Sequence, residues 1–137
     1  ADFFPELKLL SVDIETSTDG KFLYCVGMHG KNYSKVFLNS HHKVLDAVNC
    51  KNEMEVLLKF KEEFMKYDAD VITGWNFIDF DLKYLQSKFE EFGVEFDLGR
   101  SRDKVSIRKS KKFFRCYTSM WKQFEKPRKY CFCSFSS

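Results

Sequence analysis

The sequence predicts an α/β domain, and three observations carry that prediction. Leu7 to Thr16 is short, apolar and β-branched toward its end. It sets Leu10, Val12 and Ile14 in one row and stops at the turn-like run Ser17-Thr18-Asp19-Gly20. Leu57, Phe60, Phe64 and Tyr67 then repeat at helical spacing, and the apolar run Asp70-Val71-Ile72-Thr73-Gly74 follows directly. A helix leading into a buried strand is the pattern of a parallel α/β unit. A second helical stripe, Leu82, Leu85, Phe89 and Phe92, ends at Gly93, where a helix stop belongs.

Composition bounds the rest. With 137 residues, 44% of them hydrophobic, the chain is long enough to bury one core; with 31% charged it reads as a globular domain rather than a disordered one. No apolar run approaches the roughly 20 residues that span a bilayer, and no basic start precedes an apolar signal core. The expectation is an intracellular, cytoplasmic setting, nucleoid-associated in a bacterium, with no membrane partner. Cys25, Cys50, Cys116, Cys131 and Cys133 are then free thiols, and Asn32-Tyr33-Ser34 is a chance glycosylation match. The absence of an initiator Met suggests a piece of a longer chain.

In order along the chain, Ala1 to Glu6 is a lead-in and Leu7 to Thr16 the first strand. Phe22 to Met28 and Tyr33 to Leu38 form an antiparallel hairpin around His29-Gly30-Lys31-Asn32. Asn39 to Lys51 is a polar loop. Asn52 is placed to cap a helix from Glu53 to Tyr67, with Glu53 and Glu55 in the first turn, where the dipole favours anions. Asp70 to Gly74 is a buried strand and Asp79 to Phe92 the second helix. Residues 1–99 carry these patterns. Residues 100–137 form a basic, aromatic-rich tail with few consistent signals, expected to be poorly ordered beyond Arg115 and compatible with an out-of-frame reading. The overall charge of +3 hides this division: 11 Lys and Arg against 18 Asp and Glu before residue 100, 12 against 2 after it. A basic segment beside an acidic domain fits a phosphate-rich partner, or simply a solvated tail.

Two stretches carry chemistry. Alternation along the first strand points Asp13 and Glu15 the same way, opposite the apolar row. Paired carboxylates repel, and a hard divalent cation such as Mg²⁺ or Mn²⁺ relieves them; the alternative is an ordinary solvated face. The stretch from Asp70 to Leu82 places Asn76 and Asp81 between a strand and a helix, at the carboxyl end of a parallel strand where α/β sites form. For Asp79 and Asp81, helix capping and first-turn charge are the competing reading, and for Asn76 a plain turn role.

Together these stretches resemble a known family. Asp13-Ile14-Glu15 resembles the first motif, and Gly74-Trp75-Asn76 with Phe80-Asp81 the second motif, of the 3′→5′ proofreading exonuclease domain of family-B DNA polymerases, most closely the bacterial polymerase II branch. The resemblance covers Leu7 to Arg100. It implies a ribonuclease-H-like mixed sheet flanked by helices, incomplete at its C-terminal side. It also implies two-metal hydrolysis of 3′-terminal nucleotides of single-stranded DNA, within a chain whose other domains complete a polymerase. Carried over by position, Asp13, Glu15 and Asp81 are catalytic carboxylates that bind Mg²⁺ or Mn²⁺, and Asn76 and Phe80 hold the substrate. The family's third motif, Tyr-x₃-Asp, is missing: Met28, Phe37, Val71, Lys88, Trp121 and Ser134 stand four residues after the six tyrosines. The isolated chain is therefore expected to be weakly active or inactive. The alternative function is a non-catalytic nucleic-acid-binding or structural module of the same fold. A zinc site at Cys116, Cys131 and Cys133 has the wrong spacing, His41-His42 reads as solvated loop, and the tail could stack on single strands.

Overall fold

The computed structural model describes residues 6–100, 104–107 and 131–135. Its centre is β1 (Leu9–Thr16), whose Leu10, Val12 and Ile14 are buried while Leu9, Asp13 and Glu15 are exposed. β1 pairs antiparallel with β2 (Leu23–Gly30), which pairs antiparallel with β3 (Tyr33–Asn39). On its other side β1 runs parallel to β5 (Val71–Trp75), with Ser11 opposite Thr73. Two short parallel edges complete the sheet: β4 (Val48–Cys50) beside β3, and β6 (Cys131–Phe135) beside β5, giving the order β4-β3-β2-β1-β5-β6.

α1 (Glu53–Tyr67) buries Val56, Leu57, Phe60, Phe64 and Tyr67 on one face. Its start is fixed as the sequence predicts: Asn52 Oδ1 accepts the Glu55 N–H at 2.8 Å, and Glu55 Oε2 accepts the Lys51 N–H at 2.6 Å. Its end turns at Asp68, in the left-handed region with φ 56°. Asp70 then bonds back to the lead into β1: its N–H donates to the Lys8 carbonyl at 2.8 Å, and its Oδ2 accepts the Lys8 N–H at 2.9 Å. This pairing sets β5 beside β1. α2 (Leu82–Glu91) buries Leu82, Leu85, Lys88 and Phe89. It stops at Phe92-Gly93, where Gly93 takes φ 66° and the Val94 N–H reaches the Phe89 carbonyl at 2.9 Å.

Four features depart from the sequence expectation. The predicted polar loop from Asn39 to Lys51 contains β4, held where the Ser40 N–H donates to the Cys50 carbonyl at 3.3 Å; three residues are too few to show alternation. The second helix begins at Leu82 rather than Asp79, because Phe77–Asp81 forms a π-helical turn. Arg100, read as the start of a loose tail, pairs with Asp68 and Asp70 and donates to the Asp68 carbonyl at 3.0 Å. Phe96 and Leu98 are buried beside it, and Val105 and Ile107 pack on the core. The strand β6 lies in the tail, where no strand is predicted; the remaining tail residues lie outside the described set. Cys25 and Cys50 are free, as expected of a chain without a disulfide framework. Among the described residues no helix is long and apolar enough to cross a membrane.

Candidate active site

The site is built where the parallel pair β1 and β5 ends. Gly74 makes the close approach possible: a Cβ there would lie 2.6 Å from the Val12 carbonyl oxygen and 3.1 Å from Phe77 Cβ. Only glycine lets β5 lie this tightly against the strand that carries Asp13 and Glu15. Trp75 ends β5, 65% exposed, and Asn76 then turns the chain in the left-handed region at φ 52°, ψ 30°. Asparagine is among the few residues that tolerate this conformation. Phe77 drops into the core at 2% exposure, while Phe80 stays half exposed and stacks on Tyr84 with ring centroids 6.2 Å apart.

The π-helical turn brings Asp81 inward. The Leu82 N–H reaches back to the Phe77 carbonyl, so one extra residue is wrapped into the turn and Asp81 is only 5% exposed. Burial, and then the negative charges of Asp13 and Glu15, push its carboxyl up from 3.8 to about 7. Asp81 is thus brought within electrostatic reach of both β1 carboxylates. The capping reading for Asp81 does not hold, since its side chain makes no cap hydrogen bond. Asp79 is the solvated member of the pair: exposed, 3.4 Å from Lys83 at i,i+4. Asn76 likewise makes no side-chain cap bond. Beside Glu15 in the β1–β2 register stands Cys25, whose thiol is pushed up by burial and by the Glu15 charge.

Not every expectation closes into geometry. Among the described residues, no three His, Cys, Asp or Glu side chains stand close enough to form a ligand cage for a metal ion. Asp13 and Glu15 stay exposed. Sequence reasoning also gave Lys88 no place in the core, and it is 3% exposed. Its position seven residues after Asp81, two helical turns along the same face, is the signal that could have placed it inward.

The family model for the exonuclease domain of family-B DNA polymerases matches residues 23–135. The chain belongs to this family. The match runs well past Arg100, where the resemblance read from the motifs stops. Within the family-B polymerases, DNA polymerase II of Escherichia coli is 36% identical over 114 residues, covering 78% of this chain and 14% of that protein. A DNA polymerase of Archaeoglobus fulgidus is 29% identical over 107 residues, covering 77% of this chain and 13% of its own length. The solved family-B DNA polymerase of Pyrobaculum calidifontis superposes with a TM-score of 0.63 at 21% identity, over 77% of this chain and 14% of that one. That likeness bears out the mixed-sheet α/β fold of the family-B exonuclease domain. The chain spans about one seventh of the length of these relatives.

Proposed function

We propose that this chain is a metal-dependent 3′→5′ exonuclease module that hydrolyses 3′-terminal nucleotides of single-stranded DNA for proofreading, within a polymerase whose other domains supply synthesis. The observation that supports it most is Asp81, a carboxyl buried to 5% exposure in the turn after β5 and within electrostatic reach of Asp13 and Glu15 on the adjacent parallel strand β1. Such a group is raised to about 7 by its surroundings, and an added cation is what lowers it again. The donor chemistry suits Mg²⁺ or Mn²⁺, since Asp13, Glu15 and Asp81 offer only hard oxygens, although these side chains do not stand close enough to form a ligand cage.

In this reading Asp13, Glu15 and Asp81 would hold the divalent ions. The chemistry that bound ions supply is a lowered pKa for the attacking water and charge neutralisation on the phosphate. Water adds to phosphorus, the bond from phosphorus to the leaving 3′ oxygen breaks, and that oxygen takes up a proton. Phe80 offers a half-exposed ring, backed by Tyr84, on which a terminal base can stack. Asn76, whose carbonyl accepts the Phe80 N–H at 3.0 Å and whose amide does not cap the turn, would position the terminal nucleotide. Because no Tyr-x₃-Asp is present, a fourth carboxylate and a water-orienting Tyr are missing, and hydrolysis by the chain alone is weak or absent.

The test is release of nucleotides from a 3′-labelled single strand in Mn²⁺. Slow, Mn²⁺-dependent release that is lost in Asp13→Ala/Glu15→Ala supports the exonuclease reading. Binding of the strand without any release, unchanged by that double variant, supports a non-catalytic binding module instead.

A further inference from the structure

Trp75 is the most exposed aromatic side chain among the described residues, at 65%. An indole left in water forgoes the burial that the fold gives Phe60, Phe64, Phe77 and Phe89. Among the described residues Trp75 stacks on no other ring, and its Nε1–H has no acceptor. The fold therefore does not use this side chain.

Register fixes where the indole stands. Ile72 is buried, and a Cβ on Gly74 would meet the buried Phe77, so alternation sends Thr73 and Trp75 to the opposite face of the sheet. On β1 the same alternation sends Ser11, Asp13 and Glu15 to that face, away from Leu10, Val12 and Ile14. Ser11 pairs with Thr73. One residue on, the strands still touch, since a Cβ on Gly74 would lie 2.6 Å from the Val12 carbonyl oxygen. Trp75 is thus level with Asp13 on the next strand, at the spacing of roughly 4.8 Å between neighbouring strands.

The backbone on both sides of the indole is held. Before it, Gly74 is pressed on β1. After it, Asn76 keeps φ 52° and its carbonyl accepts the Phe80 N–H at 3.0 Å. Trp75 and the half-exposed Phe80 therefore flank one short, fixed turn. A ring on a rigid backbone loses little freedom when something flat covers it. The outward neighbours on β1 and β5 are Ser11, Asp13, Glu15 and Thr73, which offer no cation to a phosphate. Affinity for a nucleic acid at this place has to come from the base. An unpaired base presents its face to an aromatic ring whatever its identity, whereas bases stacked and paired in a duplex do not.

We propose that Trp75 is a substrate-contacting residue that stacks on an unpaired base of the single strand, adding a second aromatic contact to that of Phe80 and favouring single strands over duplex without a base preference. This rests on the single-strand reading above, and neither on hydrolysis nor on a bound cation.

The experiment measures binding of a fluorescein-labelled thymidine oligomer of about 12 nucleotides to the full chain by anisotropy. EDTA is present to stop metal-dependent hydrolysis. Salt at about 0.2 M keeps phosphate contacts from the basic residues 100–137 from dominating. Trp75→Ala is expected to bind about tenfold more weakly while melting no earlier than the parent, and Trp75→Phe, which keeps a ring, to stay within about threefold. In Trp121→Phe, where Trp75 is the remaining indole, the strand should quench the emission and a duplex of the same length should not. Parent affinity in Trp75→Ala, or no quenching in Trp121→Phe, overturns the proposal and leaves the indole as a contact for another part of a longer chain. If Trp75→Ala does not fold, the quenching decides. A parent chain that binds no strand removes the single-strand reading and this proposal together. Quenching by the strand with no release of nucleotides in Mn²⁺ removes hydrolysis and supports this proposal.

Discussion

The two ends of α2 hold the two buried charged residues of the described core, and they are treated oppositely. At the C-terminal end Lys88 meets two carboxylates and a carbonyl. At the N-terminal end Asp81 meets two groups of its own sign, Asp13 and Glu15, and is pushed up to about 7. A buried charge that the protein satisfies fully behaves as scaffold. One that the protein leaves facing like charges is stabilised only by protonation or by something added from outside. The same helix thus carries one finished electrostatic contact and one unfinished contact, seven residues apart.

The largest expected effect comes from breaking the finished end. Lys88→Met leaves Glu53 partly buried without its cation, which costs about 3–5 kcal/mol for a buried pair. Urea unfolding of Lys88→Met should show that loss, and replacing Glu53 by Gln in the same chain should recover part of it. A loss under about 1 kcal/mol would mean that the pair is hydrated and not scaffold at all.

The unfinished end should respond in the opposite direction. Asp81 has a folded value near 7 against an unfolded value near 3.8, so the folded state holds a proton that the unfolded state has released. The penalty is absent below about pH 4, grows between about pH 4 and 7, and is constant above. Asp81→Asn removes it, and should stabilise the metal-free chain by roughly 2–4 kcal/mol at pH 8 with little effect near pH 4. Millimolar Mn²⁺ should raise the melting point of the parent chain at pH 8 but not that of Asp81→Asn. Equal stability of parent and variant at pH 8 would show that Asp81 is better solvated than its burial implies.

The difference between the two ends also explains what could be read in advance. Period-two alternation placed Asp13 and Glu15 opposite Val12 and Ile14, and period 3.6 placed Phe60 and Phe64 inward, because burial of apolar side chains imposes those repeats. The motif spacing singled out Asp81, yet its burial depends on the π-helical turn, which no repeat reveals. Lys88 had only its helical spacing to mark it, and that signal is easily outweighed. A lysine is read as solvated unless its partners are known, and Glu53 and Lys21 are 35 and 67 residues away in sequence. The short strands β4 and β6 were missed because an edge of three or five residues gains its structure from the neighbour it pairs with.

Gly74 sharpens the comparison at intermediate size. Gly74→Ala would drive a Cβ to 2.6 Å from the Val12 carbonyl oxygen, prying β5 from β1 at the unfinished end. The expected cost is about 1–3 kcal/mol, with weakened Mn²⁺ response, since Asn76 to Asp81 hang from β5. The control at the scaffold end is Asn52→Ala, which removes one capping bond from α1 at about 1 kcal/mol and should leave the Mn²⁺ response alone.

The smallest effect is the most telling about why the unfinished end is built as it is. Asn76 sits at φ 52°, where a side chain is mildly strained and glycine is not. Its own amide does not cap the turn that follows. Asn76→Gly should therefore stabilise the fold slightly, by a few tenths of a kcal/mol, offset in part by the greater freedom of glycine when unfolded. If Asn76 serves the strand rather than the fold, the same variant should bind a labelled single strand several-fold more weakly by fluorescence anisotropy while melting no earlier than the parent. A residue that costs stability and returns it as binding is what a working site selects. If instead Asn76→Gly melts earlier and binds equally well, the asparagine belongs to the turn, and the boundary between site and scaffold moves to Phe80.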